Sequence, residues 1–187
     1  MIKLLKRNPV LRFLLLGTLA YLTWYIAYEF WLKPNSVLDE WVIQRIVNGT
    51  RFVLKSFGYT LLEPLQTLGF ENRVGIHGSS GVIVGAPCDG LVLFALFTSF
   101  VIAYPGPLKH KAWFIPLGVF SIHCINVARV VALAITVNLN PEWLAFNHDY
   151  TFTILVYSFV FLLWYIWVQR FAHSHPAVRQ KEKEPAR

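Results

Sequence analysis

Four stretches of this chain are apolar for too long to be one face of a water-soluble helix. Residues 10–32 are interrupted by charge only at Arg12 and Glu29, and residues 112–137 carry a single charge, Arg129. Residues 151–168 carry none, and residues 91–104 are apolar but for Thr98 and Ser99. A helix rising ~1.5 Å per residue needs ~20 residues to cross a ~30 Å hydrocarbon layer. The first, third and fourth stretches meet that length. The second meets it only if residues 87–90 and the turn at 105–107 lie in the interfaces. The expected fold class is an all-α integral membrane protein with four transmembrane helices, at about residues 10–32, 89–105, 112–137 and 150–168. Residues 1–168 would then form one membrane-embedded domain and residues 169–187 a polar tail.

Composition narrows the alternatives. Hydrophobic residues make up 56% of the 187, and charged residues only 14%, against about 25% in an ordinary soluble domain. Disorder needs the opposite balance. The net charge of +7, from 17 Lys+Arg against 10 Asp+Glu, would suit nucleic-acid binding. That function would not explain the apolar excess, so the expected partner is the lipid bilayer and no nucleic acid is implied.

The basic start, Met-Ile-Lys-Leu-Leu-Lys-Arg, resembles a signal peptide. The apolar stretch that follows is longer than a 7–15-residue signal core. It ends in Glu29-Phe30-Trp31-Leu32-Lys33 rather than at a small-residue cleavage site, so a retained anchor is expected. Lys3, Lys6, Arg7 and Arg12 precede or begin the first stretch, and Lys109 and Lys111 join the second to the third. Arg170, Arg179, Lys181, Lys183 and Arg187 follow the fourth, whereas residues 138–150 contain no Lys or Arg. Basic residues favour the cytoplasmic side. The expectation is a multi-pass protein of the inner (plasma) membrane with both termini cytoplasmic and residues 33–89 and 138–150 outside.

Within the long outer segment, residues 36–57 place Asp39, Glu40, Gln44, Asn48, Arg51 and Lys55 at helical spacing, with apolar residues between them. This predicts an extracytoplasmic amphipathic helix. Two β-branched runs around Gly78-Ser79-Ser80-Gly81 predict a short β-hairpin before Cys88.

Alternating helices bring three chemically capable residues to the outer leaflet. Cys88 begins the second helix, His148 begins the fourth, and Arg129 lies in the third. A thiol at a helix N-terminus meets unpaired amides that favour thiolate, although Asp89 beside it opposes this. The alternative for Cys88 is a small buried apolar residue. Arg129 costs about 2.5–3.5 kcal/mol to insert on translocation scales, so such a residue usually faces a bundle interior or a cavity. It could instead form a structural ion pair with Asp89 or Asp149. Asn126, three residues earlier on the same face, is placed to hold the guanidinium. His148 is either an interfacial loop residue or an acid–base group, and Asn147 is a possible helix cap. No metal site is expected, because His123 and Cys124 are adjacent and no second ligand pair completes four donors. A Cys88–Cys124 disulfide is rejected because Cys124 falls midway along its helix.

The sequence from Val82 to Gly90, ending Pro-Cys88-Asp89-Gly90, resembles the Cys-x-Gly motif of the exosortase/archaeosortase family with its preceding hairpin. Asn126-Val-Ala-Arg129-Val resembles that family's Asn-x-x-Arg-[Ile/Val] motif, and His148 falls at its third polar position. The resemblance covers about residues 70–165 of a compact chain. It implies a membrane-embedded cysteine transpeptidase with no cofactor. Its substrates would be exported proteins carrying a C-terminal motif, transmembrane helix and basic cluster. The acceptor would be a lipid or glycan. Cys88 would be the nucleophile, Arg129 the oxyanion or carbonyl partner and His148 the proton-transfer group, with Asn126, Asp89, Gly90 and Asn147 supporting. Two other readings remain open at this point: a non-enzymatic assembly factor or transporter, and an intramembrane cysteine protease without transfer.

Overall fold

A computed structural model describes residues 9–35, 37–63 and 72–172. Helix α1 spans Pro9–Ala27 and continues through a π-helical turn, Tyr28–Leu32, and a 3-10 turn, Lys33–Asn35. Helix α2 spans Val37–Ser56, α3 spans Leu91–Ala103 and α4 spans Leu108–Leu139. A short α5, Trp143–Phe146, passes through a π-helical turn, Asn147–Thr151, into α6, Phe152–Trp167. Three helical runs, Val10–Asn35, Leu108–Leu139 and Phe152–Phe171, are long and apolar enough to cross a membrane, and α3 is a shorter apolar helix. The chain is thus a largely helical protein of membrane type. Its apolar side chains are turned outward as well as inward: Leu14, Leu22 and Ile26 on α1, Phe120 on α4 and Ile154 and Phe161 on α6 are all exposed. In water such a surface would be an aggregation hazard, whereas in lipid it is the expected one.

The helices run antiparallel to their neighbours. Phe13 and Gly17 in α1 meet Phe100, Ala103 and Tyr104 at the far end of α3. Phe114 near the start of α4 packs, with tilted rings, among Phe97, Trp167 and Phe171. Lys111 closes this end by donating to the carbonyls of Ile102 and Tyr104, at 2.7 and 2.8 Å. Those carbonyls have no helical partner, and a cation there also suits the dipole of α3. The aromatic cluster fills one end of the bundle. The opposite end holds the turn before α3, the second half of α4 and the segment around His148.

Helix α2 packs against that second half of α4 through Val42, Ile43, Ile46, Val47 and Leu54. Beside it, β1 (Arg73–Val74) pairs antiparallel with β2 (Val82–Ile83), with Val74 opposite Val82. An isolated bridge from Leu61 to Ile76 extends the pair.

Several expected boundaries shift. Helix α3 begins at Leu91 rather than 89, so Asp89 and Gly90 belong to the turn ahead of it. Helix α4 starts at Leu108, four residues before the expected 112, because Pro107 ends the preceding turn in an extended conformation. Helical backbone continues from α6 through Val168–Ala172, beyond the expected tail boundary at 169. The basic residues Lys3, Lys6, Arg7, Arg179, Lys181, Lys183 and Arg187 lie outside the described residues. On α2, Asp39 is not on the polar face. It is buried with the apolar stripe, while Trp41 and Phe57 are exposed.

Candidate active site

The turn before α3 is held from three sides. Ala86–Cys88 forms a 3-10 turn with the Cys88 N–H on the Gly85 carbonyl at 2.8 Å. Gly90 then takes φ +86°, and the Leu91 N–H donates to Asp89 Oδ1 at 2.8 Å. Cys88 thereby sits just ahead of α3, near the positive end of its dipole. Asn126, 1% exposed on α4, donates Nδ2–H to the Cys88 carbonyl at 2.7 Å. The expectation that Asn126 holds Arg129 is therefore corrected. The two share a face, but no hydrogen bond joins them among the described residues: the Asn126 N–H goes to the Cys88 carbonyl and Arg129 Nη2 to the His148 carbonyl.

Gly90 is required on two grounds. Its positive φ strains any residue with a Cβ, and a Cβ there would lie 3.3 Å from Asn126 Nδ2. Gly90→Ala is expected to lower stability by about 1–2 kcal/mol, read as a drop in melting temperature of the purified chain. Retention of the wild-type melting temperature would contradict this account of the turn.

His148 comes to this turn from the other side. It lies in the π-helical turn Asn147–Thr151. Its Nε2 is 3.1 Å from Cys88 Sγ. The His148 carbonyl accepts from Thr153 Oγ1 at 3.1 Å and from Arg129 Nη2 at 3.5 Å. Cys88, His148 and Arg129 thus form one chain of contacts linking the start of α3, the segment before α6 and α4. Asn147 does not cap α6. Its backbone is helical, with φ −67° and ψ −39°, because α5 feeds into α6 without a break. Among the described residues no ion pair joins Arg129 to Asp89; Asp89 Oδ1 instead accepts the Leu91 amide. The Asp149 side chain, the other expected partner, lies outside the described residues. Arg129 Nε is buried without a hydrogen-bond acceptor, so a cationic fork with spare donors faces the Cys88–His148 region.

Two further groups reach the same turn. Asp89 is 2% exposed and Asp39 6%, and the two carboxyl groups are within hydrogen-bonding reach of each other. Tyr28 Oη donates to Asp39 Oδ1 at 2.6 Å. Burial, and then the facing Asp39, push the Asp89 carboxyl up to about 7 against the opposing pull of the Leu91 amide. Sequence reasoning placed Asp39 among surface charges and did not single out Tyr28. The signal for Asp39 was its spacing, since it precedes Val42, Ile43 and Ile46 by three, four and seven residues, which is the pattern of the buried face.

No cluster of three His, Cys, Asp or Glu side chains suited to a metal occurs among the described residues. Cys88 and Cys124 are free thiols, and Cys124 is exposed. A thiol beside an imidazole, a buried amide on its backbone and a guanidinium with free donors together can transfer a proton, attack a carbonyl and meet negative charge. Comparison with protein-family models, with curated proteins and with solved structures finds no match to this chain.

Proposed function

We propose that this chain is a membrane-embedded cysteine transpeptidase of the exosortase/archaeosortase kind. The observation that carries the reading is the 3.1 Å approach of Cys88 Sγ to His148 Nε2, with Arg129 bonded to the carbonyl of the same histidine. The motifs around Cys88, Asn126 and Arg129 support it.

In this reading Cys88 passes its proton to Nε2 of neutral His148, which requires the tautomer protonated at Nδ1. The thiolate attacks the scissile carbonyl of an exported protein, and Arg129 receives the developing oxyanion. The C–N bond then breaks. The imidazolium returns its proton to the leaving amine, and a thioester to Cys88 remains. An acceptor nucleophile, a lipid or a surface glycan, loses its proton to His148, attacks the thioester and frees the thiol. Asn126 holds the Cys88 carbonyl, Asp89 holds the Leu91 amide at the start of α3, and Gly90 permits the turn. No cofactor enters any step.

The remaining features follow the same proposal. The three long helices and α3 make four spans, arranged in one catalytic domain of the plasma membrane. Both termini are cytoplasmic, and the Cys88 end faces outward. The substrate's tail would lie in the bilayer with its recognition motif at the outer face.

The test is co-expression with an exported protein bearing a C-terminal motif, transmembrane helix and basic cluster, followed by mass spectrometry of its new C-terminus. The expected result is a C-terminus carrying the mass of an acceptor. A free carboxylate at the cut would reassign the protein to proteolysis. An uncut tail across candidate motifs would favour a non-enzymatic membrane protein.

A further inference from the structure

Asp39 and Asp89 are two buried carboxyl groups in contact, contributed by α2 and by the turn that carries Cys88. Oδ1 of Asp89 already accepts the Leu91 amide. Its Oδ2 is buried, and no N–H or O–H donor of the described residues points at it. Two bare carboxylates so placed would repel in a medium that screens little. A single proton on Asp89 Oδ2, donated to Asp39, removes the repulsion and satisfies the orphan oxygen. The charge then rests on Asp39, which accepts from Tyr28 and sits in the first turn of α2, where an anion is favoured.

We propose that Asp39 and Asp89 share one proton, and that this pair pins the Cys88 turn to α2. Both residues act as positioning residues. Tyr28 bonds to Asp39. On the Cys88 side of the turn, Cys88 Sγ meets His148 Nε2, and Arg129 of α4 reaches the His148 carbonyl. Glu29 and Lys33, on the segment of Tyr28, bond to each other. Helix α4 presents Asn126 to the neighbouring Cys88 carbonyl.

The sign of the pH effect follows from the raised Asp89 value. The folded chain holds a proton that the unfolded chain has lost, so stability is fullest below the ordinary carboxylate range. It declines as pH rises through about 7. Above that value the pair becomes doubly charged and the turn loosens. The relevance to catalysis rests on Cys88 being the nucleophile. The shared proton does not, so it is read without any substrate.

The experiment uses the full chain in proteoliposomes with Cys124→Ser, so that an impermeant maleimide reports Cys88 alone. Alkylation rates and melting temperature are followed across neutral pH in wild type, Asp89→Asn and Asp39→Asn. An amide at either position can donate to the remaining carboxylate without a titrating proton. The expected result is that the wild type melts lower as pH rises through about 7 and that each amide variant loses this decline. The ratio of wild-type to variant alkylation should be near one in mild acid and rise at least about threefold at alkaline pH. Asp89→Ala should be destabilised at every pH, and Asp89→Asn should restore what Ala loses. A ratio and a melting curve whose pH dependence is unchanged in both amide variants would overturn the shared proton. An amide variant as damaged as Asp89→Ala at acid pH would overturn the pinning.

Discussion

Cys88→Ala is expected to leave a tailed substrate uncut, while the protein inserts and accumulates as the wild type does. In the proposed reaction every bond change at the substrate passes through the Cys88 sulfur, so no other group can substitute for it. Removing the nucleophile of a linked nucleophile–base pair typically returns the rate to background, a loss on the order of 10⁴-fold or more. The fold should tolerate the change. Cys88 is partly exposed, and its own ties to the turn run through its backbone rather than its thiol: its N–H on Gly85 and its carbonyl on Asn126. The measurement is substrate conversion by immunoblot at matched enzyme level, with melting temperature as control. Undiminished conversion would sink the nucleophile assignment, and a lowered melting temperature would sink the claim that the turn does not need the Cys88 side chain.

The second large effect is at Arg129. Arg129→Lys keeps the charge but loses the planar fork, and an ammonium on a shorter reach cannot replace bidentate donation. Deleting one oxyanion donor costs about 10²–10³ in rate in well-studied acyl-transfer enzymes, and a fall of that order is expected here. Arg129 Nη2 touches the His148 carbonyl only at 3.5 Å, and Nε is buried with no acceptor. The guanidinium is therefore not consumed by a structural ion pair within the described residues, and its donors remain for a substrate oxygen. Substrate capture, read by crosslinking to the Cys88→Ala background, should survive Arg129→Lys. Full conversion by Arg129→Lys would remove Arg129 from the transition state and leave it a topological or packing charge.

The long apolar runs made the helical architecture legible, because length and hydropathy alone decide whether a helix can cross a bilayer. The proximity of Cys88, Arg129 and His148 was legible for a different reason. Alternating helices put the start of α3, the later half of α4 and the segment before α6 at one end, whatever their side chains do. Which atoms meet was not legible. Spacing placed Asn126 and Arg129 on one face but said nothing of the Cys88 carbonyl 38 residues away in sequence. Asn147 looked like a cap because Asn often is one; the continuous run from α5 into α6 leaves no helix start there to cap. Asp39 was read by its chemistry as a surface charge, although its spacing placed it with the buried stripe. A charge in a stripe of Val and Ile signals a partner, and here that partner lies across the turn at Asp89.

The shortness of α3 bears on what the thiol encounters. Thirteen residues rise only ~20 Å, about 10 Å less than the hydrocarbon layer. If α3 spans as proposed and Lys111, bonded to the carbonyls of Ile102 and Tyr104, marks the polar boundary, the deficit falls toward Cys88. Either the bilayer thins around this helix or the sulfur sits below the headgroup plane. At that depth water is scarce and amphiphiles are abundant. A thioester held there would partition between hydrolysis and acyl transfer according to bilayer thickness. Under the proposed reaction, acyl-chain length of the host membrane would then be a determinant of the product.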